Sequence, residues 1–231
     1  MKKIVALLPM KANSSRVPGK NFKSFCGKPL FRWVLDNLLK VDEISEIVIN
    51  TDARDILIEN GLVESDRVRI RQRPKKICGD DISMNLVIAD DLENVDADIY
   101  LMTHTTNPLL SVSTIRSAIK EFEEYHNKDE ADSLFTVNKI QTRFYKENGH
   151  PINHDPQNLI PTQNLEPWYE ENSNLYIFTS DSFQTTNARI GRNPKLFITP
   201  LRESVDIDTP EDWEMGVTTT QYMIDKKIIK I

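Results

Sequence analysis

The segment SVDIDTPEDW, residues 204–213, sets two carboxylates, Asp206 and Asp208, on either side of Ile207. In a strand, residues i and i+2 share a face, so both carboxylates project together while Val205 and Ile207 pack inward. Two carboxylates on one face repel unless a cation sits between them. Hard oxygen ligands of this kind suit Mg²⁺ or Mn²⁺. The plainer alternative is that Asp208 caps the helix starting at Pro210.

A second cluster lies near the start of the chain, in LLPMKANSSRVPGKN, residues 7–21. An apolar run stops there, and Lys11, Arg16 and Lys20 follow with Asn13, Ser14 and Ser15 between them. Cations at this spacing neutralise a polyphosphate, while the amide, hydroxyls and backbone N–H groups give directional donors. The loop is neither a Walker loop nor a dinucleotide fingerprint, because the glycines of both patterns are missing. A solvated basic turn explains the loop equally well when it is taken alone.

A third cluster is THTTNPLLS, residues 103–111, which crowds His104, Thr105, Thr106 and Asn107 into a turn between a strand and a helix. Ordinary turns use the same residues. The density of neutral donors suits a hydroxyl-rich ligand, and nothing in the chain supplies His104 with the partners of a nucleophilic triad.

These clusters need a frame that brings them together. Ile4 to Leu8 reads as a strand buried on both faces, Pro29 opens a helical pattern, and EIVINTD reads as a second strand. A short helix from Ala53 to Asn60 stops at Gly61, RVRI is a third strand, and Ile82 to Leu92 returns to helical spacing. ADIYLMTH, a helix from Ser113, and DSLFTV complete an alternation that predicts a mixed, mostly parallel α/β sheet flanked by helices. Residues 138–172 break the rhythm with Pro, Asn and Gln and read as an inserted arm or hairpin at a subunit contact. SNLYIFT restores a strand, ESVDIDT marks another strand end, and Pro210 starts a closing helix. One domain over residues 1–231 is expected, with ligands beyond the carboxyl ends of its strands.

Composition narrows the function classes. The net charge of −6 excludes a broad basic face for nucleic acid, while leaving room for a small basic pocket. Cys26 and Cys78 are far apart and form no CxxC pair, which argues against structural zinc and fits a reducing cytoplasm. No apolar stretch approaches the length of a membrane span, and MKKIVALLPM is too short in its apolar part to be a signal peptide.

Taken together, LLPMKANSSRVPGKN, RPKKICGDD, THTTNPLL and ESVDID resemble the ordered motifs of the acylneuraminate cytidylyltransferases. The resemblance runs from Lys3 to about Trp213. It implies a Rossmann-like fold of the nucleotide-diphospho-sugar transferase type, with CTP and a 2-keto sugar acid as substrates and a CMP-sugar and pyrophosphate as products. It also implies Mg²⁺ or Mn²⁺ on Asp206 and Asp208, and a homodimer that exchanges the arm. By the same resemblance Lys11, Lys20, Asn21, Arg73 and Gly79 belong to the nucleotide side. His104, Asn107, Arg143 and Gln163 belong to the sugar side. Lys11, Leu110 and Thr162 depart from the family's usual arginines, which points to a bacterial subgroup acting on legionaminic-type, Kdn-like or related sugars. A cytidylyltransferase for the eight-carbon acid Kdo and a non-catalytic nucleotide-binding homologue are the alternative readings.

Overall fold

The computed structural model describes residues 2–230. Its centre is a seven-stranded sheet in the order β5-β4-β1-β6-β8-β7-β9. The strands are β1 (Ile4–Leu7), β4 (Ile44–Thr51), β5 (Val68–Gln72), β6 (Ile99–Thr103), β7 (Ser133–Ile140), β8 (Trp168–Phe178) and β9 (Pro194–Ile198). A separate hairpin pairs β2 (Ser24–Phe25) with β3 (Lys28–Pro29). Only β8 runs against its neighbours in the large sheet, so the mixed, mostly parallel architecture is as expected.

The helices are α1 (Leu30–Leu39), α2 (Arg54–Glu59), α3 (Met84–Asn94), α4 (Val112–His126), α5 (Ser180–Thr186) and α6 (Pro210–Asp225). Alternation along β1 explains the layers. Ile4, Ala6 and Leu8 face a core shared with Phe31, Leu35 and Leu38 of α1 and Ile115 and Phe122 of α4. Val5 and Leu7 face the opposite core, with Ile88 of α3, Tyr176 and Phe178 of β8, and Phe183 of α5. A strand buried on both sides needs the continuous apolar run seen in the sequence.

A third, smaller core does the positioning. Val17, Phe25, Leu30, Trp33, Ile207 and Trp213 pack together, with the Phe25 and Trp213 ring centroids 5.2 Å apart, edge to face. This cluster joins the opening loop, the β2–β3 hairpin and the segment before α6. It therefore holds the two ends of the chain's chemistry against each other.

Several boundaries differ from expectation. The segment containing Asp206 and Asp208 is not a strand: it forms no ladder and is held by Ile207 N–H donating to the Thr106 carbonyl at 2.9 Å. Ile207 packs inward as alternation requires, yet the anchoring comes from one turn and one apolar cluster rather than from a sheet. Thr209, not Asp208, caps α6, in a reciprocal capping box with Asp212. Asp208 is thereby left for other partners. Helix α4 starts at Val112 with Ser111 as its cap, ahead of the predicted Ser113. The inserted arm is shorter than predicted, because residues 138–140 and 168–171 pair as the ends of β7 and β8. The irregular part is 141–167. Helix α5 and β9 had no sequence signal strong enough to be predicted.

Candidate active site

Strand order turns at β1, which has β4 and β5 on one side and β6 on the other. Loops leaving the carboxyl ends of β1 and β6 therefore diverge and leave a crevice, the usual ligand position in open α/β sheets. A cleft of about 270 Å³ lies there, lined by the opening loop, Arg73, Asp80, the turn after β6 and Asp208. A larger hollow, of about 530 Å³, lies at the opposite ends of the strands, around Lys2, Asp98, His126 and Asp132. Size alone selects the wrong one; the cleft at the strand ends is where all three polar clusters meet.

The opening loop is held by side chains in place of glycines. The chain stays beside β4 through Met10, whose N–H donates to the Asn50 carbonyl at 3.1 Å. Asp52 Oδ1 then accepts the Ala12 N–H at 2.7 Å. Asn21 closes the far end, donating to the Lys11 carbonyl at 2.8 Å and accepting the Thr105 hydroxyl at 2.6 Å. One buried amide thus ties the loop to the turn after β6. Replacing it in Asn21→Ala is expected to raise KM for the nucleotide about fivefold, since one net hydrogen bond to the loop contributes about 1 kcal/mol. Initial rates at varied nucleotide concentration check this, with an unchanged KM as the contrary result.

The charged side chains of the opening loop and the aspartate segment converge at the cleft. Lys20 is almost wholly buried, and its Nζ donates to the Ile207 carbonyl at 2.5 Å and to Asp208 Oδ1 at 3.1 Å. Arg16 reaches Asp208 Oδ2 at 3.1 Å, and Lys11 reaches Asp80 Oδ1 at 3.1 Å. Asn13, Ser14 and Ser15 line the cleft between them. Arg73 is buried beneath it, with Nε on Asn50 Oδ1 and Nη2 on the Asn50 and Met10 carbonyls. Burial lowers its pKa from the ordinary arginine value. Arg73 is thus a structural brace for β1 and β4 as well as a lining residue.

Asp208 lines the cleft, whereas Asp206 is outside the lining. Its carboxyl pKa is raised, first by burial and then by the neighbouring Asp208 charge, against a hydrogen bond from Thr106. Its Oδ1 is buried without a partner. An unpartnered buried carboxylate oxygen fits a cation ligand, because such an atom is otherwise costly. Among the described residues no group of three or more His, Cys, Asp and Glu side chains is placed to hold a metal. Two aspartates are as many protein carboxylates as Mg²⁺ ordinarily uses, the rest of its shell being water and substrate phosphate.

Other predicted residues separate. Thr105, Thr106 and His104 line the cleft. Asn107 is fully buried and turned toward the aspartate segment, with Nδ2 donating to the Val205 carbonyl at 3.3 Å, so it braces rather than lines. Gly79 lies outside the lining, with φ +131° in the region that favours glycine, next to Asp80, which pairs with Lys11. Arg143 donates to the Ile160 carbonyl at 2.7 Å, and Gln163 accepts from Gln141 through its own carbonyl at 3.2 Å. Both stay within the arm and do not line their own chain's cleft.

Sequence reasoning missed Asp52, Asp80 and Arg189. Asp80 stood inside the quoted RPKKICGDD motif and was legible. Arg189 lies in NARIGRN with no local pattern to mark it. It reaches His104 Nε2 at 3.1 Å, and its side chain is 19% exposed. Asn174, whose Nδ2 donates to the Glu203 carbonyl at 2.8 Å, was likewise invisible as the anchor of the chain that leads to the aspartates.

Comparison with known proteins agrees with this geometry. The chain is 26% identical over 221 residues to the CMP-N,N'-diacetyllegionaminic acid synthase of Legionella pneumophila, covering 92% of this chain and 94% of that protein. It is 26% identical over 225 residues to the pseudaminic acid cytidylyltransferase of Campylobacter jejuni, covering 93% and 94%. Among solved structures, CMP:2-keto-3-deoxy-manno-octonic acid synthetase with CTP superposes with a TM-score of 0.66 at 16% identity, over 95% of this chain and 99% of that one. The 4-diphosphocytidyl-2C-methyl-D-erythritol synthase of Anaerococcus prevotii gives a TM-score of 0.67 at 14% identity, over 95% and 96%. The cytidylyltransferase family profile matches residues 5–224, and the chain belongs to that family of nucleotidyltransferases.

Proposed function

We propose that this enzyme transfers a cytidylyl group from CTP to a 2-keto-3-deoxy sugar acid of the nonulosonate class, giving a CMP-sugar and pyrophosphate. The observation that carries this reading is the meeting of Lys11, Arg16 and Lys20 with Asp208 at the carboxyl ends of β1 and β6 in a cytidylyltransferase. Relatives matched along nearly their whole length are named for legionaminic and pseudaminic acids, which supports a nine-carbon acid over Kdo.

The anomeric hydroxyl of the sugar attacks the α-phosphorus, a new P–O bond forms, and the bond to the β-phosphate oxygen breaks. Pyrophosphate leaves, and the hydroxyl proton passes to solvent. Lys11, Arg16 and Lys20 take up the negative charge that builds on the leaving group, while Asn13, Ser14 and Ser15 orient the phosphates. Asp206 and Asp208 would hold Mg²⁺ or Mn²⁺, which would supply positive charge to offset that of the phosphates. Thr105, Thr106 and His104 face the sugar.

The arm supports a homodimer as part of this proposal. Tyr145, Leu159, Ile160, Trp168 and Tyr169 are exposed on or beside it, and Arg143 and Gln163 lie away from their own cleft. Sedimentation of the full chain at twice 26.7 kDa is the expected result, and a monomer at micromolar concentration contradicts it. Cys26 and Cys78 are free thiols, and no helix among the described residues is long and apolar enough to cross a membrane. The free thiols support a cytoplasmic setting.

The reading is tested by pyrophosphate release over a grid of CTP, UTP, ATP and GTP against N-acetylneuraminate, a legionaminate, a pseudaminate, Kdn and Kdo, with Mg²⁺ or Mn²⁺. Release with CTP and a nine-carbon acid is expected. Release with another nucleotide, or with Kdo alone, overturns the corresponding part.

A further inference from the structure

Arg189 follows α5 and reaches the site from behind His104. Its guanidinium carbon lies 3.7 Å from the centroid of the Tyr176 ring. Nη2 donates to the Tyr176 hydroxyl at 2.8 Å and to Glu171 Oε1 at 3.2 Å. The Tyr176 hydroxyl donates to the same Glu171 oxygen. Nη1 points at His104 Nε2, 3.1 Å away. Stacking, a carboxylate and a phenol thus fix the guanidinium plane before it meets the imidazole.

The last contact has one chemical interpretation. Arginine carries only donors and stays protonated, so a hydrogen bond to Nε2 requires a lone pair there. A neutral imidazole with a lone pair on Nε2 carries its proton on Nδ1. His104 lines the cleft, and among the described residues no protein atom accepts from its Nδ1.

We propose that Arg189 is a positioning residue that locks His104 in its neutral Nδ1–H tautomer, so that the imidazole offers a fixed hydrogen-bond donor to an acceptor oxygen of the sugar acid. This rests on the function proposed above. Arg189 itself does not meet the substrate, because both of its terminal nitrogens are committed within the protein.

The electrostatics agree. Burial and then Arg189 pull the His104 pKa from 6.5 down to about 3, with Lys20 acting in the same direction and Asp208 opposing. Glu171 and Tyr176 face Arg189 from β8 and reach His104 only through it. A histidine with its pKa this low is neutral throughout the neutral range. Its consequence is a fixed polarity at this point, which a freely turning amide side chain would not give. A glutamine amide turns over to offer either a donor or an acceptor, whereas the locked imidazole offers a donor alone. A carboxylate, carbonyl or hydroxyl oxygen is accepted at this point, and an ammonium group is refused.

The test uses the ¹⁵N-labelled full chain and long-range imidazole correlations between pH 5 and 8, with the His104 signals assigned by their loss in His104→Gln. The expected result is an Nδ1–H imidazole that does not move over this range. Arg189→Met should release it, giving a mixed tautomer or a titration within the range. The same variant should raise KM for the sugar acid about tenfold, the loss of one oriented hydrogen bond, with KM for CTP within about twofold. Arg189→Lys, which keeps a donor, should fall between. An Nε2–H tautomer or an ordinary titration in the unaltered protein overturns the proposal, and needs no variant to fold. So does an Arg189→Met protein in which KM rises while the tautomer stays locked, since Arg189 would then touch the substrate directly. If no sugar acid is turned over, the proposed function fails while the tautomer measurement still decides this point.

Discussion

Asp208→Asn is expected to lower kcat by about 10³ while CTP affinity falls far less, a loss typical of removing one oriented electrostatic group from a transition state. Asp208 lies where the two halves of the site meet. It accepts from Lys20 on one oxygen and Arg16 on the other, each at 3.1 Å. Asparagine keeps the shape and removes the charge. The two cations lose their counter-charge, and the proposed metal loses one of its two carboxylates. In the proposed site CTP would still meet Lys11, Arg16 and Lys20, so its binding is expected to survive in large part. The side chain is 43% exposed, so the fold should be little affected, which thermal melting checks. Near-normal turnover with Mg²⁺ supplied would remove Asp208 from the role assigned to it.

Lys20→Met is expected to cost about 10²–10³ in kcat/KM, together with about 1–3 kcal/mol of stability. Lys20 differs from Lys11 and Arg16 in being buried, and burial makes its charge act through less water. Two of the three ammonium donors are spent on the Ile207 carbonyl and Asp208, which leaves one for phosphate. Methionine fills the space of the stem but leaves the Ile207 carbonyl unpaired. Denaturant unfolding gives the stability change, and single-turnover rates with saturating CTP give the chemical one. A kcat/KM within tenfold of the unaltered enzyme would place the charge of Lys20 outside the reaction.

The two variants also show what was legible in the sequence. Lys20 and Asp208 were both readable, since each lies in a polar cluster next to an apolar pattern that implied a strand or a packed segment. The sheet was readable for the same reason: β1 has apolar residues at every position and β4 carries the apolar run Ile47 to Ile49, and both stretches are buried throughout. Periodicity failed at the aspartates. Val205 and Ile207 alternate with them, but the pattern that mimics a strand is produced here by the small core around Phe25 and Trp213. Thr209 had the capping role because its reciprocal partner Asp212 stands three residues on, a pairing that the sequence contained and that the strand reading obscured.

Arg189 was unreadable for a different reason. Its meaning depends on Tyr176, Glu171 and His104, which stand 13, 18 and 85 residues away and meet only through sheet pairing. The reverse holds for Arg143 and Gln163. Resemblance named them for the sugar, yet within one chain they bond to their own arm. Side chains carried on a long irregular segment take their place from whatever that segment packs against, and local sequence does not encode it.

The most direct measurement is the fate of the phosphorus atoms. CTP labelled with ³²P at the α-position in one reaction and at the γ-position in another is incubated with the enzyme, Mg²⁺ and the accepted sugar acid. The α-label is expected in the sugar product and the γ-label in pyrophosphate. Transfer of γ-label to the sugar, or release of labelled CMP with no sugar adduct, would contradict the proposed reaction.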